Sequence, residues 1–120
     1  IFESLRPFVP SGKLWVIPME DGDVAGLPEL LADFGDRAAL DGLALDEQGR
    51  VYVAANGAGQ IWRVDPGSGE TILIAEDMPG AASIAFGAGD FDRQAIYVTS
   101  TRTGRVWEVH VGAEGAALHH

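Results

Sequence analysis

The sequence contains no cysteine, a single lysine and no long unbroken apolar run. Without cysteine, the chain cannot form disulfides, zinc–thiolate sites or a cysteine nucleophile. It has 8 Lys and Arg against 18 Asp and Glu, a formal net charge of −10. Nucleic acids and anionic membrane surfaces are bound through clustered basic side chains, so the composition excludes both as partners. The composition predicts a soluble protein. It does not determine the cellular compartment, although the cytoplasm is slightly favoured.

Three tryptophans mark an internal repeat. Trp15, Trp62 and Trp107 each lie in a short aliphatic segment, and they are 47 and 45 residues apart. Self-similarity at such a period is typical of repeat architectures. Two further pairs of apolar segments recur in the same order: 51–55 with 96–100, and 42–45 with 83–86.

The repeated segments have the composition of β-strands. They are short, rich in Val, Ile, Tyr and Trp, and bounded by Gly, Asp, Asn or Pro. The segment 27–34 is the one candidate for a helix, but it aligns with the strand-like 71–75 and is predicted as a strand. The sequence thus predicts an all-β fold. One repeat is predicted to contain four strands, at 43–46, 51–55, 60–65 and 71–76.

Four antiparallel strands in about 45 residues are typical of one β-propeller blade. Residues 1–120 are predicted to form a partial propeller of about two and a half blades. These are the outer strands of one blade (13–34), a complete blade (41–76) and the following blade (82–120). Propellers close with about four to eight blades, and fewer leave two apolar faces uncovered. We therefore expect a part of a longer protein, in preference to another copy completing the ring. The pair His119-His120 fits a native end and a purification-tag remnant equally.

The alternation of antiparallel strands predicts which loops share one end of the fold. Asp41, Ser83 and Asn56 fall at the same end, with Asp41 and Ser83 nearest the axis. At the mouth of a channel, the Asp41 carboxylate can bind a hard cation or accept a proton from a metal-bound water. The alternative is that Asp41 caps a turn before its strand.

Other polar positions have simpler explanations. The Asn56–Gly59 segment is typical of a hairpin turn, with a ligand role for Asn56 as the alternative. Asp90–Asp92 lacks the Gly and the distant Glu of a calcium loop, so a solvated turn is predicted there and also at Asp21–Asp23.

His110 alternates with Trp107 and Val109, which places it on the face of Glu108. A surface imidazole is favoured over a catalytic one.

Two stretches, Asp41–Ala54 and Ala82–Gly87 followed by 96–100, resemble the gluconolactonase/regucalcin (senescence marker protein) family. The similarity runs from about residue 13 to the C-terminus and corresponds to the last blades of that six-bladed propeller. It implies a hydrolase of a small-molecule lactone or ester that uses one divalent cation, calcium or zinc. In that family the residue matching Asp41 is a metal ligand and the general base. Ser83 matches a position near the ligand pocket, so the resemblance implies substrate binding by Ser83, with Asn56 as the other candidate.

The sequence departs from the family in two ways. Leu40 replaces the usual Pro before Asp41, and no match is found for the other metal ligands, a Glu and an Asn from earlier blades. A cation that takes six or more oxygens is not held by one Asp, so the remaining ligands are expected outside this chain. The chain alone is predicted to be incomplete as a catalyst. The alternative functions are a non-catalytic propeller that binds a ligand or protein, and a self-assembling blade module.

Overall fold

The computed structural model describes residues 4–8 and 12–116, so His119-His120 lies outside the described residues. The described part is all-β, as predicted, with one short 3-10 helix at Asp36–Ala38. The strands in chain order are β1 (Ser4–Phe8), β2 (Lys13–Glu20), β3 (Asp23–Val24), β4 (Glu29–Asp33), β5 (Leu40–Leu45), β6 (Val51–Ala55), β7 (Gln60–Val64), β8 (Thr71–Ala75), β9 (Ala81–Phe86), β10 (Ala95–Ser100) and β11 (Val106–His110).

The strands form three antiparallel sheets that follow one another along the chain. In the first sheet β2 pairs with β1 on one side and with β3 and β4 on the other. The middle sheet has the order β5-β6-β7-β8, and the third sheet has the order β9-β10-β11. The four strands of the middle sheet lie where the repeat predicts them, and β4 confirms that 27–34 contains a strand. The sequence repeat did not predict β1, which extends the first sheet toward the N-terminus.

The repeated tryptophans occupy equivalent places in the three sheets. Trp15 lies in β2, Trp62 in β7 and Trp107 in β11. The pairing of β2 with β4 shifts register directly before Trp15, and that of β7 with β8 shifts directly before Trp62. An extra residue in one strand increases the local twist of a sheet. In these two sheets the tryptophan motif therefore marks a shared irregularity of the backbone as well as a shared side chain.

The pairing of the inner strands is also irregular at equivalent positions. The register of β5 with β6 shifts between residues 40 and 43, and that of β9 with β10 shifts between residues 81 and 84. The shared register makes Asp41 equivalent to Ala82, and Gly42 equivalent to Ser83. The two strands lie against each other at this point. A Cβ on Gly42 would stand 2.2 Å from the carbonyl oxygen of Ala82, so only glycine permits this approach.

The core consists of two apolar layers, one between each pair of successive sheets. The first layer includes Leu14, Val53 and Trp62, and the Trp62 ring centroid lies 5.4 Å from that of Phe34, directly after β4. Full burial of one such side chain contributes about 1.5–3 kcal/mol. The second layer contains Tyr52, Ala54, Ile61, Ile84, Ile96 and Val98, with Trp107 packed against it.

After β11 the chain turns away from the third sheet. The segment Glu114–Ala116 instead lies beside the end of β5. The Glu47 amide donates to the Glu114 carbonyl (2.8 Å), and the Ala116 amide donates to the Leu45 carbonyl (3.0 Å). Within the described residues, the third sheet therefore has no fourth strand, and the outer edge of β11 is unpaired.

Candidate functional site

Asp41 lies within β5, at the irregular step of the inner strand. Its side chain is exposed, and its carboxylate makes no hydrogen bond or ion pair with any residue that the structure describes. The turn-capping alternative is therefore wrong for the described structure, because a capping carboxylate accepts a nearby backbone N–H. The carboxylate is available to solvent and to a ligand.

Ser83 lies one step away, on the neighbouring inner strand β9. Its side chain is exposed, and its backbone N–H donates to the Thr99 hydroxyl at 3.3 Å. The Cα of Ser83 is 3.0 Å from the place that a Cβ on Gly42 would take. The structure thus brings the Asp41-Gly42 step and Ser83 together, as the predicted shared end of the fold requires.

Asn56 lies in the turn between β6 and β7, and the structure gives its side chain a partner. Its amide nitrogen donates to the Thr101 hydroxyl of the third sheet at 3.2 Å. Its backbone N–H donates to the Ala39 carbonyl at 3.1 Å. The side chain therefore links two sheets, and substrate binding by Asn56 stays a prediction. A polar groove of about 470 Å³ lies beside it, lined by Glu76, Asp77 and Arg102 among others.

An apolar groove of about 650 Å³ runs between the inner strands β5 and β9. Its walls are Leu43, Leu45, Ile84 and Phe86, and residues 114–116 close its far end. The groove begins two residues beyond Asp41 along β5. Apolar surface therefore lies beside Asp41.

The described residues do not assemble a metal site by themselves. No group of three or more His, Asp or Glu side chains with suitable geometry occurs in residues 4–8 and 12–116. Asp41 alone offers two oxygens, and calcium takes six to eight while zinc takes about four ligands. The described residues thus do not fit a resident cation without ligands from elsewhere.

The sequence predicts Asp46 only as the last residue of the strand 43–46, but the structure places it at the centre of a buried network. Its carboxylate is fully buried and accepts the Arg50 Nε–H at 2.7 Å, the Tyr52 hydroxyl at 3.1 Å and the backbone N–H groups of Gln48 and Arg50. The hydrogen bond to Asp46 raises the pKa of Arg50, and burial raises the pKa of Tyr52. An aspartate four residues before an arginine, at a strand end, was the available signal. The network is a structural anchor of the β5–β6 turn.

The other acidic residues that the sequence singles out lie in turns or loops. Asp92 accepts the backbone N–H of Gln94 at 2.8 Å within its own loop, and Asp21 adopts a positive φ of 52° before Gly22. His110 is exposed, in agreement with the surface imidazole that the strand alternation predicts. It contacts both Asp92 and Glu108, a pairing with the loop that the sequence did not predict.

No helix in the described part of the chain has the length and apolar character needed to cross a membrane. A search of curated protein sequences gives no significant match. Among solved structures, the chain is similar to one in "Crystal structure of Nidogen/Laminin Complex", with a TM-score of 0.70 and 22% identity over 83% of this chain. The chain spans only 38% of the length of that protein, which is a β-propeller. At this identity the likeness shows the fold, a partial β-propeller.

The sequence of residues 9–118 matches the model of one protein family, described as "SMP-30/Gluconolactonase/LRE-like region". The match covers nearly the whole chain, including the inner-strand segment around Asp41 and all three tryptophan motifs. It agrees with the resemblance that the sequence motifs indicated. The chain therefore belongs to the SMP-30/gluconolactonase/LRE-like family.

Proposed function

We propose that this chain provides the Asp41-bearing wall of a gluconolactonase-like propeller that hydrolyses a small lactone or ester. One observation carries the proposal. Asp41 is an exposed carboxylate without a partner among the described residues, on the inner strand beside a groove. A buried carboxylate that accepts several hydrogen bonds, like that of Asp46, is not available for proton transfer. Family membership supports the reaction class.

In the proposed reaction, the Asp41 carboxylate acts as a general base. It takes a proton from a water molecule while the water oxygen forms a bond to the carbonyl carbon of the ester. The resulting tetrahedral intermediate expels the alcohol oxygen, which takes the proton back from Asp41. The products are a carboxylic acid and an alcohol, joined in one hydroxy acid when the substrate is a lactone.

Ser83 is proposed to orient the substrate through its exposed hydroxyl, which lies one strand away from Asp41. Asn56 is the second candidate, although its amide must leave Thr101 to reach a ligand. A calcium or zinc ion, if used, needs ligands from outside this chain, because Asp41 alone does not hold one. Those ligands are proposed to come from another chain or copy, or from further blades of a longer protein.

The test uses a complete propeller that contains this chain, assayed against a panel of small lactones and aryl esters. Asp41→Asn keeps the size of the side chain but removes its basicity, and we expect kcat/KM to fall by about 10²-fold or more. The matched control is Asp23→Asn, at an exposed aspartate of the first sheet, which should leave kcat/KM within about twofold.

Retained turnover in Asp41→Asn would refute the proposed base. If the unmodified propeller binds small lactones but shows no turnover above background, the non-catalytic binding propeller becomes the better description.

A further inference from the structure

The turn between β6 and β7 begins with an Asn-Gly pair, Asn56-Gly57, and Asn56 is the only asparagine in the sequence. In such a pair the backbone nitrogen of the glycine can attack the side-chain amide of the asparagine. Glycine allows this attack because it has no Cβ to obstruct the approach and its backbone is flexible. The pair is therefore a position at which the chain can modify itself.

The reaction needs no reagent besides water. The Gly57 nitrogen loses its proton and forms a bond to Cγ of Asn56, while the side-chain nitrogen leaves Cγ and takes up a proton to become ammonia. Water then opens the five-membered succinimide ring at one of its two carbonyl carbons. One opening gives an aspartate at position 56, and the other gives an iso-aspartate, whose main chain is one carbon longer.

The fold restrains both of the reacting groups. The Gly57 N–H donates to the Ala38 carbonyl at 2.8 Å, which keeps the proton on the nitrogen that must attack. The side-chain amide of Asn56 donates to the Thr101 hydroxyl at 3.2 Å, which holds Cγ in place. Gly57 is exposed, and exposed turns open locally far more often than the whole fold unfolds. The attack thus requires a local opening that releases these two contacts.

We propose that Asn56-Gly57 is a site of spontaneous deamidation whose rate is determined by the opening of these two contacts. The restraints come from the segment before β5 and from the turn between β10 and β11, on either side of the middle sheet. The site therefore has its neighbours within this chain. The reaction goes beyond the proposed hydrolysis and does not depend on it.

Deamidation changes both contacts. The amide that donates to Thr101 becomes a carboxylate, which only accepts hydrogen bonds. The Thr101 hydroxyl has one hydrogen, which it donates to the Gly80 carbonyl at 3.3 Å, so the new carboxylate competes with that carbonyl. The longer main chain of iso-aspartate also displaces the Gly57 N–H from Ala38. The modification thus loosens the connections of this turn at the end of the fold that carries Asp41.

The experiment follows deamidation in a complete propeller that contains this chain, incubated under mildly alkaline conditions. Trypsin cleaves after Arg50 and Arg63, so peptide 51–63 carries the site. Mass spectrometry distinguishes the amide from the acid, and fragment ions locate the change. A synthetic peptide of residues 51–63 provides the rate without the fold. We expect the folded protein to react more slowly than this peptide by about tenfold or more.

Thr101→Val removes the hydroxyl but keeps a side chain of similar shape. We expect it to raise the deamidation rate about fivefold, because one restraint on Asn56 is lost, and Thr101→Ser should keep the original rate. The matched control is Thr103→Val in the same turn, whose hydroxyl accepts the Arg105 N–H at 3.4 Å. Its rate should stay within about twofold of that of the unmodified protein. Circular dichroism checks that each variant is folded.

Three results would overturn the proposal. If the folded protein reacted as fast as the peptide, the fold would not determine the rate. If neither the unmodified protein nor Thr101→Val formed any product, Asn56-Gly57 would not be a modification site. An equal acceleration in Thr103→Val would show that the contact with Asn56 is not the restraint.

Discussion

The middle and third sheets arise from the same repeat, yet they secure equivalent positions by different means. At the end of the inner strand, the Asp46 amide donates to the Arg50 carbonyl at 3.0 Å, and the Gly87 amide donates to the Ala95 carbonyl at 3.1 Å. The middle sheet places a buried carboxylate at this corner. The third sheet has glycine there, because a Cβ on Gly87 would lie 2.0 Å from the Asp92 carbonyl oxygen.

The difference shows where each sheet finds its partners. The tyrosine of the middle sheet is covered by a neighbouring sheet and bonded to Asp46, so its contacts are buried. The tyrosine of the third sheet is covered by its own loop, so its contacts are exposed. Removing an equivalent group should therefore cost more in the middle sheet than in the third.

The largest effect is expected at Asp46. Asp46→Ala leaves Tyr52 and two backbone N–H groups without their buried acceptor, and we expect the free energy of unfolding to fall by about 3 kcal/mol. Asp92→Ala, the comparison in the third sheet, removes contacts of an exposed side chain and should cost below about 1 kcal/mol. Urea unfolding of both variants measures the difference. Equal losses would show that burial does not distinguish the two networks.

The next effect concerns two equivalent positions with a left-handed backbone, one occupied by alanine and the other by glycine. Ala39 has φ of 48° and Gly80 has φ of 76°, each directly before an inner strand. A Cβ on Gly80 would stand 2.6 Å from that of Arg102, so Gly80→Ala should destabilise the fold by about 2 kcal/mol. Ala39→Gly removes the steric cost of alanine in the left-handed conformation and should stabilise the fold by about 0.5 kcal/mol. Thermal unfolding of both variants gives the sign of each change in melting temperature. Two changes of the same sign would contradict this explanation.

The smallest effect concerns alkaline pH. Burial raises the pKa of Tyr52 above its usual value near 10, so the unfolded chain loses this proton at lower pH than the folded chain does. The stabilisation is complete below pH 10 and declines as the pH rises through the folded pKa. In Tyr52→Phe the loss of stability above pH 10 should be shallower than in the unmodified chain. Unfolding curves between pH 9 and 11 would contradict this explanation if both proteins had the same slope.

The sequence predicted the elements that depend on local pattern. The tryptophan spacing and the Val- and Ile-rich segments located the strands of the middle sheet, and strand alternation placed His110 beside Glu108. Asp41 and Ser83 were predicted at one end of the fold because antiparallel connections alternate. These inferences needed only periodicity and spacing.

The features that the sequence did not predict depend on contacts between distant residues. His110 meets Asp92 across 18 positions because the loop folds back over the sheet. The burial of Asp46 results from packing around a turn whose residues are all polar or small. The segment 114–116 binds β5 and not β11, although the repeat spacing would place the start of a fourth strand at 116. In each case the three-dimensional neighbour, and not the local pattern, determines the role of the residue.

The pairing of Glu114–Ala116 with β5 also determines how tension at the C-terminal end enters the molecule. A pull on Ala116 first loads its bond to Leu45 and the bond between Glu47 and Glu114, before it reaches the pairing of β11 with β10. The force is thus delivered to the middle sheet, beside the buried Asp46 turn. A tether attached at this end would first rupture those two backbone hydrogen bonds, and only afterwards peel the third sheet strand by strand.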